Sequence, residues 1–288
     1  MTLAEIFNNS IDILKNEKIE APVVEAGVIL CFVLGRDKTF LYAHPEYILT
    51  SEEETRYIEL IKERSLGTPV QYLTGRQEFM SLDFRVNSSV LIPRHDTEIL
   101  VETAINHAMK LNGRNIKVLD IGTGSGCIAI SIAYYIDSSM VTAIDISEEA
   151  LAIARGNAIK NGVAHKLEFV QSDIFSSLKG STKVFDIIVS NPPYIPSKEI
   201  EELQVEVRNY EPLGALDGGV DGLDFYRRIV GEAANYLAEN GLLALEVGYN
   251  QAGDVARLME KDYYDINIIR DLAQIGRVVS GKLKPNIY

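Results

Sequence analysis

Closely spaced metal or disulfide residues are missing from this chain. It holds two cysteines, Cys31 and Cys127, and four histidines, His44, His95, His107 and His165. The cysteines are too few and too far apart for a disulfide framework or a zinc cluster. The histidines show no metal-ligand spacing, so no metal is expected. Cys31 lies in an apolar run and reads as a small buried residue. Long apolar stretches are also missing: none approaches the length of a membrane span. Glu5 and Asp12 interrupt the first apolar residues, so no signal peptide is expected. Positive charge is scarce, with 28 Lys and Arg against 41 Asp and Glu, a net charge of −13. That balance speaks against a protein whose affinity rests on long runs of nucleic-acid phosphates. It leaves room for a local basic patch or a basic protein partner. The cytoplasm is the expected compartment.

What is present is ordinary for a soluble globular protein: 47% hydrophobic and 24% charged residues. A chain of 288 residues holds one large domain or two modest ones. Leu3, Ile6, Phe7, Ile11 and Leu14 recur at helical spacing over residues 2–16. An apolar helix over 22–34 starts at Pro22 and stops at Gly35. A short helix follows from Asp37 to Tyr42, then one from Ser51 to Arg64, with Ser51 and Glu54 fitting a capping box. These helices read as a compact unit over residues 1–75. Thr68-Pro69 and Gly75 end the helical pattern. Gln77–Met80 and Asp83–Val86 flank Ser81-Leu82 as a hairpin, so residues 76–92 read as a connector. After Pro93, Asp96 or Thr97 can cap a helix running to about Lys110.

From Lys117 onward, strands and helices alternate. Val118–Ile121, Val141–Ile144, Leu167–Val170 and Ile187–Val189 read as strands. Helices are expected over Cys127–Tyr135, Glu148–Asn161, Lys198–Arg208 and Leu223–Glu239. Strand Leu242–Val247, a helix from Gln251, the stretch Tyr264–Arg270 and strand Gly276–Ser280 close the chain. Such alternation means an α/β domain over residues 93–288, with a largely parallel sheet covered by helices.

Two strand exits carry the chemistry. The first is Asp120-Ile121-Gly122-Thr123-Gly124-Ser125-Gly126, where glycines let the backbone approach a ligand. Asp145 ends the next strand about twenty residues on, where a carboxylate can take both ribose hydroxyls. An adenosine-containing cofactor is implied, either NAD or S-adenosylmethionine. Asp120 would repel a pyrophosphate but could pair with a cationic amino group, which favours S-adenosylmethionine. The second exit is Asn191-Pro192-Pro193-Tyr194. The prolines withhold two N–H donors and keep their carbonyls, and Asn191 adds a side-chain carbonyl. This rigid set of acceptors beside an aromatic ring suits a planar NH₂ group. By itself the stretch also reads as an ordinary Pro-Pro turn.

Asp120–Gly126 resembles motif I of the class I methyltransferases, and Asn191–Tyr194 resembles the motif of amino-group and amide methyltransferases. Joined to Pro93-Arg94-x-Asp96-Thr97-Glu98, Tyr210-Glu211-Pro212 and Asp217-Gly218-Gly219-x-Asp221-Gly222-Leu223, they resemble the HemK/PrmC family over nearly the whole chain. That family consists of release factor glutamine N5-methyltransferases. The resemblance implies a Rossmann-like, seven-stranded, mostly parallel sheet with its last strand antiparallel, beside a small N-terminal helical domain. It implies methyl transfer from S-adenosylmethionine to the glutamine of the Gly-Gly-Gln loop of class-one peptide chain release factors, affecting translation termination. It implies that Gly122, Thr123, Gly124, Ser125, Gly126, Asp145, Asp173, Ile174 and Asn191 border the cofactor. Asn191, Pro192, Pro193 and Tyr194 would hold the glutamine amide, with Asn191, Pro192 and Tyr194 catalytic. The chain departs from the family pattern at His95 (usually proline), at Met80 (often aromatic), and at Gln274 and Gly276. Competing readings are an adenine-N6 methyltransferase on nucleic acid, a methyltransferase for another protein glutamine, a cofactor-binding scaffold, and an NAD oxidoreductase.

Overall fold

The computed structural model describes residues 1–111, 115–182 and 184–285. Its helices in chain order are α1 (Leu3–Asn16), α2 (Pro22–Leu34), α3 (Lys38–Ala43), α4 (Ser51–Ser65), α5 (Val70–Thr74), α6 (Glu98–Ala108), α7 (Cys127–Tyr135), α8 (Glu148–Lys160), α9 (Val205–Tyr210), α10 (Asp224–Ala233) and α11 (Ala252–Met259). Its strands are β1 (Arg76–Phe79), β2 (Leu82–Arg85), β3 (Ile116–Ile121), β4 (Ser139–Asp145), β5 (Leu167–Gln171), β6 (Phe185–Ser190), β7 (Leu237–Glu246), β8 (Tyr263–Arg270) and β9 (Gly276–Leu283). Contacts divide the chain into two compact units, residues 1–76 with 204–210, and residues 77–203 with 211–288. Among the described residues no helix is long and apolar enough to cross a membrane.

The first unit packs Leu3, Ile6, Leu14, Ile29, Leu30, Tyr57 and Leu60 into one core. Thr2 and Glu5 form a capping box that starts α1. The box at α4 uses Thr50 and Glu53, one residue earlier than Ser51 and Glu54. Thr50 has the extended backbone a cap needs, and Ser51 is already helical. Arg64 is buried among carboxylates: its guanidinium pairs with Glu25 and reaches Glu206 Oε2 at 2.7 Å. Glu206 lies on α9, so a short segment from far along the sequence completes this unit. The helix expected over Lys198–Arg208 is broken. Residues 197–202 form a 3₁₀ turn, Leu203 is extended, and α9 follows.

In the second unit the seven strands run in the order β5-β4-β3-β6-β7-β9-β8. β3 through β7 pair in parallel, while β9 runs antiparallel to both neighbours. Alternate residues feed opposite faces. Val118, Ile187 and Val189 join one core, and Leu119 and Ile188 join the other. The order reverses between β3 and β6. Ligands of open α/β sheets bind beyond the strand ends at such a reversal.

The hairpin β1–β2, expected as a connector, is packed into this unit: Phe79 and Phe84 are fully buried in the core under α6 and α7. The turn falls on Met80 and Ser81, both with positive φ. The helix expected to reach Glu239 stops at Ala233, because Leu237 enters β7 and pairs with Phe185.

Candidate active site

The glycine turn follows β3 at the reversal point. Gly122, Gly124 and Gly126 all have φ between +55° and +82°, a backbone that L residues disfavour. Their surroundings differ. A Cβ on Gly122 or Gly124 would meet nothing within 4 Å, whereas one on Gly126 would lie 3.0 Å from the Ala154 Cβ. Gly126 therefore lets α7 pack against α8.

Asp120 lies beneath the turn and is fully buried. Its Oδ2 accepts from the Thr123 hydroxyl at 2.7 Å and from the Ala129 N–H at 3.2 Å. Burial pushes its carboxyl up to about 7. The side chain does not line the cavity, so the direct pairing with a cofactor amino group expected above gives way to a brace under the loop. Asn157 of α8 is a second brace that composition and spacing do not reveal. Its Nδ2 donates to the Ser125 carbonyl at 2.8 Å, and its side chain exchanges two hydrogen bonds with the Arg85 backbone.

Asp145 ends β4 and faces the cavity. Its Oδ2 accepts the Gly124 N–H at 2.8 Å and its Oδ1 accepts the Ser147 N–H at 3.0 Å. A carboxylate has about four lone-pair sites, so acceptor capacity remains on each oxygen. Beyond β5, Asp173 pairs with Arg228 at 2.8 Å. Ile174 holds φ at 48°, a strained value for a β-branched residue. The Ser172 hydroxyl, donating to the Ile174 carbonyl at 2.7 Å, helps hold it there. Such outliers concentrate at ligand sites.

The second exit follows β6, whose residues are all buried. The Ser190 hydroxyl donates to the Ile121 carbonyl at 2.7 Å, tying the two exits together. Asn191 Nδ2 donates to Thr97 Oγ1 at 3.3 Å, while Asn191 Oδ1 is buried with no hydrogen-bond partner among the described residues. Thr97 takes the N-cap position of α6, as expected, but makes no side-chain cap hydrogen bond, and Asp96 lies in the 3₁₀ turn before it. Burial pushes the nearby Glu246 carboxyl up to about 7, and its Oε2 is buried with no hydrogen-bond partner among the described residues. Asp96 pairs with Arg277 at 2.9 Å, and Arg94 pairs with Glu211. Burial, with Glu246 nearby, pushes the Tyr194 hydroxyl up to about 12, so the ring stays neutral.

The Asp217–Leu223 glycine motif clamps this exit from behind. Gly218 N–H donates to the Ile195 carbonyl at 2.9 Å, and a Cβ on Gly218 would lie 2.7 Å from the Tyr194 Cα. Gln251 donates to the Tyr194 carbonyl at 2.9 Å and accepts from the Gly248 N–H at 3.0 Å. Gln251 escapes a sequence reading because Tyr194 lies fifty-seven residues before it. Of the four pattern departures, His95 is exposed, Met80 and Gln274 supply positive-φ turn positions, and Gly276 begins β9.

A single cavity of about 620 Å³, a size usual for ligand sites, collects both exits. Its lining includes Gly122, Thr123, Gly124, Ser125, Asp145, Asp173, Ile174, Asn191, Pro192 and Pro193. Gly126 lies behind the turn, and Tyr194 packs against the core beside the loop. The donor set fits S-adenosylmethionine. A strand-end carboxylate with spare acceptor capacity suits a ribose diol, and the open glycine backbone admits a close ligand.

Two family models match the chain: the PrmC N-terminal domain over residues 5–75 and the methyltransferase small domain over residues 95–207. A release factor glutamine methyltransferase of Koribacter versatilis is 39% identical over 98% of this chain and 99% of its own. One of Geobacter sulfurreducens is 40% identical over 98% of this chain and 97% of its own. Among solved structures, a methyltransferase from Pyrococcus furiosus shares the fold, with 20% identity, a TM-score of 0.50, and coverage of 82% of this chain and all of that one. Near-full-length identity at this level, joined to matches over both the helical and the α/β segments, shows that the chain belongs to the release factor glutamine methyltransferase family.

Proposed function

We propose that this protein transfers a methyl group from S-adenosylmethionine to the side-chain amide nitrogen of the glutamine in the Gly-Gly-Gln loop of class-one peptide chain release factors, leaving S-adenosylhomocysteine. It would act in the cytoplasm and modulate translation termination. The observation that carries this reading is the Asn191 carboxamide: its nitrogen is tied to Thr97 and its oxygen is buried without a partner among the described residues. A buried acceptor left unmade costs about 1–3 kcal/mol. It is expected where a ligand completes the bond.

When bound, S-adenosylmethionine supplies an electrophilic methyl group on a cationic sulfur. Asp145 would take the ribose hydroxyls, and Asp173 with Ile174 would edge the base. Gly122 through Ser125 would run beside the rest of the cofactor. Asn191 Oδ1 and the Pro192 carbonyl each accept one N–H of the glutamine amide, so its nitrogen is turned toward the methyl. Pro193 keeps the loop extended, and Tyr194 packs on the amide plane. A carboxamide nitrogen is a poor nucleophile because its lone pair is delocalised. Positioning therefore supplies much of the rate, and acceptors that stabilise growing positive charge on the N–H groups supply more. Arg94 and Arg277 are each already paired with a carboxylate. A glutamate in place of glutamine would set its oxygens against carbonyl oxygens beside arginines already paired, so a Gly-Gly-Glu factor should bind weakly and stay unmethylated.

The cavity residues all lie from Ser89 onward, which supports assigning residues 1–75 to recognition of the release factor body. A chain starting near Thr74 should then bind S-adenosylmethionine yet methylate intact factor poorly; unimpaired turnover rejects that assignment. The reaction itself is tested by offering labelled S-adenosylmethionine with either a release factor or DNA. Label on the Gly-Gly-Gln glutamine is expected. Label on DNA adenine, or on neither, overturns the reading.

A further inference from the structure

We propose that Arg94 is a specificity-determining residue whose guanidinium binds the main-chain carbonyls beside the substrate glutamine. This rests on reading Asn191 and Pro192 as the acceptors of the side-chain amide. Those two acceptors see only a primary amide, which any exposed glutamine or asparagine offers. Selecting one glutamine takes a contact to the chain that carries it. Two neighbouring glycines leave their carbonyls uncovered by side chains, so a donor in the cavity wall can approach them closely.

A short turn places Arg94 for this. Its backbone is extended and leads into the 3₁₀ turn His95–Thr97. Three residues on, the Thr97 hydroxyl accepts from Asn191 Nδ2 at 3.3 Å. Arg94, Thr97, Asn191 and Pro192 all line the cavity. The cations among the lining residues are Arg94 and Arg228, and Arg228 pairs with Asp173 beyond β5. Arg94 is therefore the cation at the amide-holding exit. Burial and Glu246 raise the Tyr194 hydroxyl to about 12, and the Arg94 charge opposes them, in keeping with that placement.

The donors of Arg94 are only partly used. A guanidinium carries its N–H donors in a fixed planar fork. Nη2 pairs with Glu211 Oε1, while Nε and Nη1 have no hydrogen-bond partner among the described residues. The Glu211 side chain is 2% exposed and the Arg94 side chain 39%. The buried carboxylate thus anchors the arginine at one nitrogen and leaves its side chain partly accessible. An anchored fork has less side-chain freedom to lose on binding than a free one. Charge decides what the remaining donors take. Arg94 and Glu211 cancel, so a second carboxylate placed on Arg94 would meet the repulsion of Glu211 as well as the attraction of the guanidinium. A neutral carbonyl needs only donors and brings no repulsion. The balance favours the substrate main chain over the carboxylate of the cofactor, and it agrees with rejection of a Gly-Gly-Glu loop.

The test uses the full chain and a Gly-Gly-Gln release factor. Arg94→Met keeps the apolar stem and removes the donors. Its kcat/KM for the factor should fall about 10–100-fold, the worth of a hydrogen bond to a charged group, chiefly through KM. S-adenosylmethionine affinity, read by calorimetry, should hold. Because Arg94→Met strands a buried carboxylate, the double variant Arg94→Met with Glu211→Gln is measured beside it. The double variant should regain melting temperature and keep the kinetic defect. Two semisynthetic factors carry an ester in place of the amide before or after the loop glutamine, which weakens one carbonyl as an acceptor. With at least one of them the wild type should lose more turnover than Arg94→Met does. Weakened cofactor binding in Arg94→Met would assign Arg94 to the cofactor carboxylate and overturn the inference. A double variant with wild-type kinetics would reduce Arg94 to a structural brace and overturn it too, as would equal ester effects in wild type and Arg94→Met at both positions. A wild type that leaves the factor unmethylated overturns the proposed function itself; a wild type that methylates beside variants that match it overturns this inference alone.

Discussion

The two strand exits that line the cavity are built on opposite plans. The glycine turn after β3 is held at shorter range: Asp120 reaches three and nine residues ahead, Asp145 and Asn157 reach back twenty-one and thirty-two, and left-handed glycines shape the turn. The exit after β6 is held from a distance. Thr97 lies ninety-four residues before Asn191, and Gln251 lies fifty-seven beyond Tyr194. A glycine turn braced at short range leaves its backbone open to a cofactor. A stiff loop clamped from several segments can hold one small planar group at an acceptor geometry. Under the proposed function, the difference separates a binding task from an orienting task.

The comparison breaks most sharply at Asn191. Asn191→Ala removes the inward acceptor and should cut single-turnover methylation by about 10²–10³, the scale seen for one lost transition-state hydrogen bond. Cofactor affinity, measured on the same sample, should change far less. Methylation near the wild-type rate would return the Asn-Pro-Pro-Tyr stretch to an ordinary turn.

A pair of glycines sharpens it next. Gly218→Ala drives a Cβ to 2.7 Å from the Tyr194 Cα, with no left-handed φ to satisfy. It is a purely steric insult, of about 1–3 kcal/mol on the usual scale for overpacking, and it falls on the clamp. Gly124→Ala meets open space but a φ of +55°, so it carries about 1–2 kcal/mol of backbone strain alone. Turnover at saturating cofactor should fall for Gly218→Ala, and cofactor affinity should fall for Gly124→Ala. Denaturant titration with paired kinetics reads both, and the same pattern for the two glycines would erase the distinction.

On the binding side, Asp145→Ala should weaken S-adenosylmethionine by about 1.5–3 kcal/mol, the value of a charge-assisted bond. Turnover at saturating cofactor should be much less affected. Calorimetric titration with unchanged affinity would remove Asp145 from the cofactor site.

The smallest effect is a pH slope. Asp120 has its carboxyl raised from 3.8 to about 7 by burial. Between those values the native state keeps a proton that the unfolded chain has lost, so this group's contribution to stability declines as pH rises through that window and is level above it. Asp120→Asn keeps an acceptor for Thr123 and Ala129 but cannot ionise. Its melting temperature should therefore gain on the wild type as pH rises from about 4 to about 7. A constant gap across that range would mean that Asp120 is not desolvated.

Pattern alone reached the first exit, except for Asn157, because its other signals are short-range. Alternating β-branched runs, positive-φ glycines and a carboxylate one strand later are all short-range signals, and Val118–Ile121, Cys127–Tyr135 and Asp145 were legible from them. The polarity of Asn191-Pro192-Pro193-Tyr194 was legible too, since prolines withhold donors wherever they lie. Helix ends were less legible. Thr50 took the cap from Ser51, and Leu237 drew Tyr236 and its neighbours out of a helix, because pairing with Phe185 outweighs local propensity. What the tertiary structure decided is direction. Whether Asp120 faces a ligand or braces a turn, and whether Asn191 offers oxygen or nitrogen, depends on partners such as Ala129 and Thr97 that only chain folding brings within reach. A side chain's chemistry is written in the sequence, but its free lone pair is whatever its neighbours leave unused.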